Sequence, residues 1–298
     1  MKEIDEILGE YKYDAKLDNA EGFIATCRAN SAKWLSDAAA LQTMFTAIDL
    51  TTLSHTDSNA SVSRFVERVN QFGKDYPELK NVGGICVYSV FAPAVKATLK
   101  VEGVHRAVVA ACFPSSQTFA DIKAAEVRKA VEAGATEVDV VLSVGEFLDG
   151  YYQFVYEELM TIREACSGAR LKVILETGAM KTHEQIWDAS IIAMAAGADF
   201  IKTSTGKNCD GASPEAAVVM TQAIKAFESK AGRKVGFKPA GGVRTPEDAA
   251  LYYEIVRETL GDSHTVNTLF RIGASGLANN LLRQILAMKG QEAPEKYF

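Results

Sequence analysis

From about residue 44 the chain repeats one unit eight times: a short apolar or β-branched run, a polar or glycine-containing turn, then a helical pattern. The runs centre on 45–50, 84–88, 107–112, 137–142, 171–176, 199–204, 234–239 and 269–272. Several are nearly continuous in apolar residues, as in Val138-Asp139-Val140-Val141-Leu142 and Lys172-Val173-Ile174-Leu175, which suits parallel strands covered on both faces. Helix starts fall between them. Ser213-Pro214-Glu215 and Thr245-Pro246-Glu247-Asp248 each offer a capping hydroxyl, a proline at the first helical position and acids in the first turn, and Thr182 with Gln185 fits a capping box. Eight strand-then-helix units in about 245 residues predict a (β/α)8 TIM barrel over residues 44–298. A doubly wound open sheet is the alternative, but it would normally use fewer strands and a glycine-rich fingerprint after the first, which this chain lacks. Residues 1–43 read as a helical N-terminal extension with a break around 13–19, packed on the barrel or on a partner subunit. Gly290 to Pro294 predicts a mobile tail, whose Tyr297 is a candidate to reach the open end of the barrel.

Composition narrows what such a barrel does. A net charge of −6 without a long single-sign run supplies no basic stripe for a phosphate backbone, so nucleic-acid binding is not expected. No apolar stretch is long enough to span a bilayer, and the start, Met1-Lys2-Glu3-Ile4-Asp5-Glu6, has acids where a secretory signal needs a basic region and an apolar run. These features point to a cytoplasmic protein. The five cysteines, Cys27, Cys86, Cys112, Cys166 and Cys209, are widely spaced and form neither a Cys-x-x-Cys pair nor a cluster with the four histidines, so they read as reduced thiols. Cys86 and Cys112 lie in strand-like runs and read as small core residues. No metal site is visible in the sequence.

The chemistry is carried by lysines. Lys202 in Phe200-Ile201-Lys202-Thr203-Ser204 and Lys238 in Gly236-Phe237-Lys238-Pro239-Ala240 each close a buried strand. An ammonium group is rarely buried without a partner, and desolvation plus a second cation lowers its pKa toward that of a nucleophilic amine. If both side chains point into the barrel, their amines meet at the C-terminal ends of neighbouring strands, where barrel enzymes keep their catalytic groups. We expect Lys202, in the more apolar strand, to be the nucleophile that forms a Schiff base, with Lys238 the charged neighbour. Asp139 stands as a lone carboxylate in an apolar run, an expensive placement that points to proton transfer or to fixing the lysines. Asp49, near the end of the first strand, is a similar case. Glycines follow the last three strands, at Gly206, Gly241-Gly242 and Gly273 to Gly276, and turns of this kind expose backbone amides to an anion. With charge from Lys207 or Arg244, they predict a phosphorylated carbonyl substrate.

Together, Phe-Ile-Lys-Thr-Ser-Thr-Gly-Lys at 200–207, Gly-Phe-Lys-Pro-Ala-Gly-Gly-Val-Arg at 236–244, Glu-Val-Asp-Val-Val at 137–141, Ile-Asp-Leu-Thr-Thr-Leu at 48–53 and Leu-Glu-Thr-Gly at 175–178 resemble the deoxyribose-phosphate aldolase family over residues 45–288. The resemblance implies a class I aldolase that needs neither metal nor other cofactor. Such an enzyme reversibly cleaves 2-deoxy-D-ribose 5-phosphate to acetaldehyde and D-glyceraldehyde 3-phosphate, in the catabolism of deoxyribonucleotides. By it, Lys202 is the Schiff-base lysine, Lys238 the lysine that perturbs it, and Asp139 the aspartate that moves protons through water. Asp49 falls near the substrate hydroxyls; Thr205, Lys207, Gly241, Gly242 and Ser275 fall in segments that contact sugar phosphate. The expected partners are small molecules, the sugar phosphate and aldehydes, and a homo-oligomer is compatible with the sequence. Two positions depart from the family pattern: Ser115-Ser116 lacks a glycine often found after Phe113-Pro114, and Gly276 replaces a serine common after Ser275. Another class I aldolase with a different aldehyde acceptor is the nearest alternative. A barrel turned binding or scaffold protein would be expected to have lost a lysine or Asp139, and all three are present.

Overall fold

The structure is a computed structural model describing residues 3–298; Met1 and Lys2, part of the expected extension and of the signal-peptide argument, lie outside the described residues. Eight strands follow in order: β1 (Ile48–Thr51), β2 (Gly84–Tyr88), β3 (His105–Ala110), β4 (Glu137–Val141), β5 (Arg170–Ile174), β6 (Phe200–Lys202), β7 (Gly236–Lys238) and β8 (Ile272–Ala274). From β1 to β7 each pairs in parallel with the next in sequence, and β8 pairs in parallel with β1. Parallel bridges from Phe237 to Phe270 and from Ala240 to Gly273 join the last strands and close the ring. The architecture is the expected (β/α)8 TIM barrel.

The extension holds α1 (Ile4–Glu10), a 3-10 turn (Ala15–Asn19), α2 (Glu21–Ser31), a second 3-10 turn (Ala32–Ser36) and α3 (Ala38–Thr46), so its break falls where the sequence suggests. Around the barrel run α4 (Asn59–Asp75), α5 (Ala92–Thr98), α6 (Ala120–Glu132), the short α7 (Val144–Leu148), α8 (Tyr152–Ala165), α9 (His183–Ala195), α10 (Pro214–Ala231), α11 (Pro246–Leu260) and α12 (Leu277–Met288). Ser213 caps α10 through the Ala216 amide, and Thr245 and Asp248 complete a reciprocal capping box on α11. On α9 only half of the expected box forms: Thr182 accepts from the Gln185 amide, while Gln185 reaches back one residue further, to the Lys181 amide.

Three strand boundaries move for identifiable reasons. Phe45 and Thr46 belong to the end of α3, whose apolar face supplies Leu41, Met44 and Phe45 to the core, so β1 begins only at Ile48. β3 ends at Ala110 because Ala111 and Cys112 take left-handed backbone angles, φ 58° and 61°. Cys112 is therefore a half-buried turn residue and not a core strand position. β8 is shifted to Ile272–Ala274 because the apolar residues before it serve ring closure, the Phe237 amide donating to Leu269 O at 2.9 Å.

The extension wraps the flank of the barrel formed by α8 to α11. The Trp187 indole donates to Tyr11 O at 2.6 Å, the Tyr11 ring stacks on Phe227, and the Trp34 indole donates to the buried Glu254 carboxylate at 2.6 Å. The C-terminal tail is docked, contrary to the expectation of a mobile segment. Phe298 is buried against Phe45 and Phe72, Asn279 Oδ1 accepts from the Tyr297 and Phe298 amides, and the Tyr297 hydroxyl donates to Asp75 at 2.6 Å, at the C-terminal end of α4. Packing of Phe298 against the stacked Phe45 and Phe72 rings outweighs the disorder that glycine and proline suggest. Among the described residues no helix is long and apolar enough to cross a membrane.

Candidate active site

The register between β6 and β7 sets Lys202 directly opposite Lys238, and both side chains enter the barrel. Their amines meet through a carboxylate. Asp139 Oδ2 accepts from Lys202 Nζ at 2.9 Å and from Lys238 Nζ at 2.7 Å. Its other oxygen accepts from Lys172 Nζ at 3.0 Å, the residue paired with it on β5. Asp139, Lys172 and Lys238 are fully buried, and Lys202 is 4% exposed.

Below this layer the ion pairs continue. Asp49 Oδ2 accepts from Lys238 Nζ at 2.5 Å, and Asp49 Oδ1 accepts from Arg271. The Arg271 guanidinium also donates to Glu137 Oε1 at 2.9 Å, and Glu137 Oε2 pairs with Lys172 Nζ at 2.6 Å. Burial opposes ionisation of every member, yet the lysines and Arg271 hold Asp139 and Asp49 well below the ordinary carboxylate range. Glu137 is lowered likewise by Lys172 and Arg271. Among the lysines the balance differs. Burial works against the charge of Lys238, but Asp139 and Asp49 outweigh it and raise its pKa; Lys172 is raised by Asp139 and Glu137. For Lys202 burial dominates, the Lys238 charge adds to it, and the single carboxylate Asp139 does not compensate, so its pKa falls. The cluster thus contains one amine biased toward its neutral, nucleophilic form. The buried Cys86 lies beside it on β2, its thiol pushed up mainly by burial.

Above the lysines opens a cavity of about 610 Å³, whose lining includes Thr205, Lys207, Gly241, Gly242 and Ser275. Gly273 lies on its lining; a Cβ on that residue would come within 2.8 Å of Ala240 Cβ and 3.3 Å of Lys238 Cε, so a side chain here would crowd both. The backbone N–H groups of Gly242, Ser275 and Gly276 donate to no acceptor among the described residues, and α12 begins at this point. Free amides at a helix N-terminus favour an anion. Lys207 Nζ donates to Leu53 O at 2.8 Å across the cavity mouth. The Thr205 hydroxyl donates to Glu176 Oε2 at 2.7 Å and accepts from the Lys207 amide, so its proton is directed at the buried carboxylate. Loops interlock here as well: a Cβ on Gly211 would lie 2.1 Å from Gly241 O.

The nine residues singled out in sequence therefore separate into two layers. Lys202, Lys238, Asp139 and Asp49 form the buried cluster, while Thr205, Lys207, Gly241, Gly242 and Ser275 line the cavity. Asp49 is not among the cavity-lining residues; both its oxygens are occupied inside the barrel. Sequence reading missed Lys172, Glu137, Arg271 and Glu176. Alternation alone would have found two of them, since Glu137 shares the inward face of Asp139 and Lys172 stands opposite it.

Comparison with known proteins adds an independent line. Residues 43–286 match the model of the DeoC/LacD family aldolases. The deoxyribose-phosphate aldolase of Homo sapiens is 43% identical over 251 residues, 80% of this chain and 79% of that protein. The Bos taurus protein of the same name is 41% identical over 250 residues, again 80% and 79% of the two chains. Among solved structures, the deoxyribose phosphate aldolase of Aeropyrum pernix, described as having a unique tetrameric structure, aligns with a TM-score of 0.67 at 25% identity, covering 86% of this chain and 95% of that one.

Proposed function

Because this chain belongs to the DeoC/LacD family aldolases, we propose that it is a carbon–carbon lyase that reversibly cleaves 2-deoxy-D-ribose 5-phosphate to D-glyceraldehyde 3-phosphate and acetaldehyde. The chemistry assigned to it starts from the neutral Lys202 amine, which attacks the aldehyde carbon of the open-chain sugar. The resulting carbinolamine loses water to give an iminium ion. Deprotonation of the C3 hydroxyl then breaks the C2–C3 bond, releasing glyceraldehyde 3-phosphate and leaving the electron pair in an enamine on Lys202. Protonation of that enamine at C2 and hydrolysis release acetaldehyde and restore the amine.

One observation carries this reading: a single oxygen of Asp139 lies between two lysines of opposite pKa direction, in the buried layer beneath an amide-lined cavity. Lys238, charged, disfavours protonation of Lys202, and ionised Asp139 takes and returns the protons that the carbinolamine and enamine steps require. The amides of Gly242, Ser275 and Gly276 receive the phosphate dianion, with Lys207 adding charge. Thr205 holds the Lys207 amide in place, its own proton given to Glu176. We assign the enzyme to the cytoplasm and to deoxyribose phosphate catabolism, and, by likeness to the Aeropyrum pernix tetramer, to a homo-oligomer. The test is direct: incubation with deoxyribose 5-phosphate, coupled to a glyceraldehyde 3-phosphate dehydrogenase, should reduce its cofactor in step with sugar consumed. Absence of glyceraldehyde 3-phosphate from an intact preparation would rule out this substrate.

A further inference from the structure

The interior cluster contains more positive groups than negative ones. Its buried cations are Lys172, Lys202, Lys238 and Arg271, and its buried anions are Asp49, Glu137 and Asp139. With every group ionised the barrel interior would hold one uncompensated positive charge, a costly state in a low-dielectric core. Loss of a single proton makes the cluster neutral. The proton leaves the cation with the fewest carboxylate partners. Lys238 touches Asp49 and Asp139, Lys172 touches Glu137 and Asp139, and Arg271 touches Asp49 and Glu137, whereas Lys202 has Asp139 alone, at 2.9 Å.

We propose that Glu137, Lys172 and Arg271 are positioning residues that never meet substrate and set the proton occupancy of Lys202 through the charge count of the cluster. The proposal rests on the reading of Lys202 as the Schiff-base amine and extends it from one neighbouring lysine to the whole interior. Other titratable groups do not disturb the count. Cys86 on β2 is a neutral thiol. His105 on β3 is 3.5 Å from Glu137 Oε1 and is kept neutral by its partial burial. Arg170, 3.2 Å from the same oxygen, has a side chain one-third exposed, so its charge is screened by water at the lower rim.

The count makes predictions of opposite sign. Lys172→Met removes a positive charge, so the cluster can accept a proton at Lys202, and the acidic limb of imine formation should move upward by about one pH unit or more. Glu137→Gln removes a negative charge, making protonation of Lys202 harder, and the limb should move downward. The double variant restores the count and should return the limb close to that of the wild type. Imine formation is read by trapping with acetaldehyde and cyanoborohydride across pH, with the label quantified on the Lys202 peptide. Mere structural damage would lower trapping at every pH without moving the limb. Shifts of the same sign in both single variants, or no shift in either, would overturn the proposal.

A wild-type measurement covers the case in which the variants do not fold. Because the counted charges are shut away from solvent, the limb should stay in place between about 0.05 and 1 M salt, whereas tuning by exposed cations such as Lys207 or Arg244 would let it move. A salt-dependent limb would also overturn the proposal. Failure of the underlying reading looks different: no label on Lys202 of the wild type at any pH removes the Schiff base itself.

Discussion

At the level of single residues the chemistry depends on an asymmetry between two lysines that stand directly opposite each other on β6 and β7. Lys238 is pinned by two carboxylates and Lys202 by one, so burial lowers the pKa of the second and not of the first. Because a lowered amine pKa means more free base at neutral pH, kcat/KM should fall as pH drops through the pKa of Lys202. Lys238→Leu removes the repelling charge and leaves Asp49 to Arg271; the limb should rise, and activity at neutral pH should drop by up to about 100-fold for a shift of two units. A pH–rate profile of this variant that superimposes on the wild type would contradict electrostatic tuning. Asp139→Asn acts differently. It leaves Lys202 neutral and able to form the imine, but slows turnover by about 10²–10⁴-fold because the proton carrier is gone. Lys202 still labelled on prolonged trapping, combined with poor turnover, is the expected signature, and loss of both together would assign Asp139 to holding Lys202 in place.

Among the elements, the informative ones are the loops after β5, β6 and β7, which lock together above the lysines. Glu176 grips Thr205, and Gly211 lies against Gly241 so closely that no side chain fits between them. Gly211→Ala should therefore displace the loop carrying Gly241 and Gly242. KM for deoxyribose 5-phosphate should rise about tenfold or more, while cleavage of unphosphorylated deoxyribose, which places no dianion, should change little; equal losses on both substrates would mean that the loop shapes the lysine layer itself. These loops also mark how far the sequence could be read. The strands, their order and the lysine pair were legible because alternation and burial leave a local pattern in the chain. The rest of the cluster was harder to see: Lys172 follows from alternation only once Asp139 is set opposite it, in a run that otherwise reads as apolar, and Arg271, the partner of Asp49 and Glu137, precedes a strand whose start is set by ring closure. The tail misled for a similar reason: glycine and proline are visible locally, but the groove that receives Phe298 is assembled from Phe45 and Phe72, far away in sequence.

For the molecule as a whole, the barrel provides a buried interior in which seven charges can be counted, and the extension seals its flank. Ile4, Ile7, Tyr11, Ile24 and Cys27 are all buried on joining the core, at about 1.5–3 kcal/mol for each large side chain. Deleting residues 1–36 would also strip Trp34 from Glu254, leaving that carboxylate to Arg257 alone. The thermal midpoint should fall by on the order of 10 °C, since a molecule of this size loses about 2–4 °C per kcal/mol. Activity per folded molecule should persist in the cold, because no residue of the extension reaches the cavity. Loss of activity with an unchanged midpoint would instead give the extension a direct part in the reaction.

The central claim is that Lys202 carries the covalent intermediate. Borohydride reduction in the presence of acetaldehyde fixes an imine as a stable secondary amine, and peptide mass mapping locates it. The account predicts one ethyl group on Lys202 and parallel loss of activity. An ethyl group found mainly on Lys238 would reverse the two roles, and an enzyme that is neither labelled nor inactivated would contradict the Schiff-base mechanism altogether.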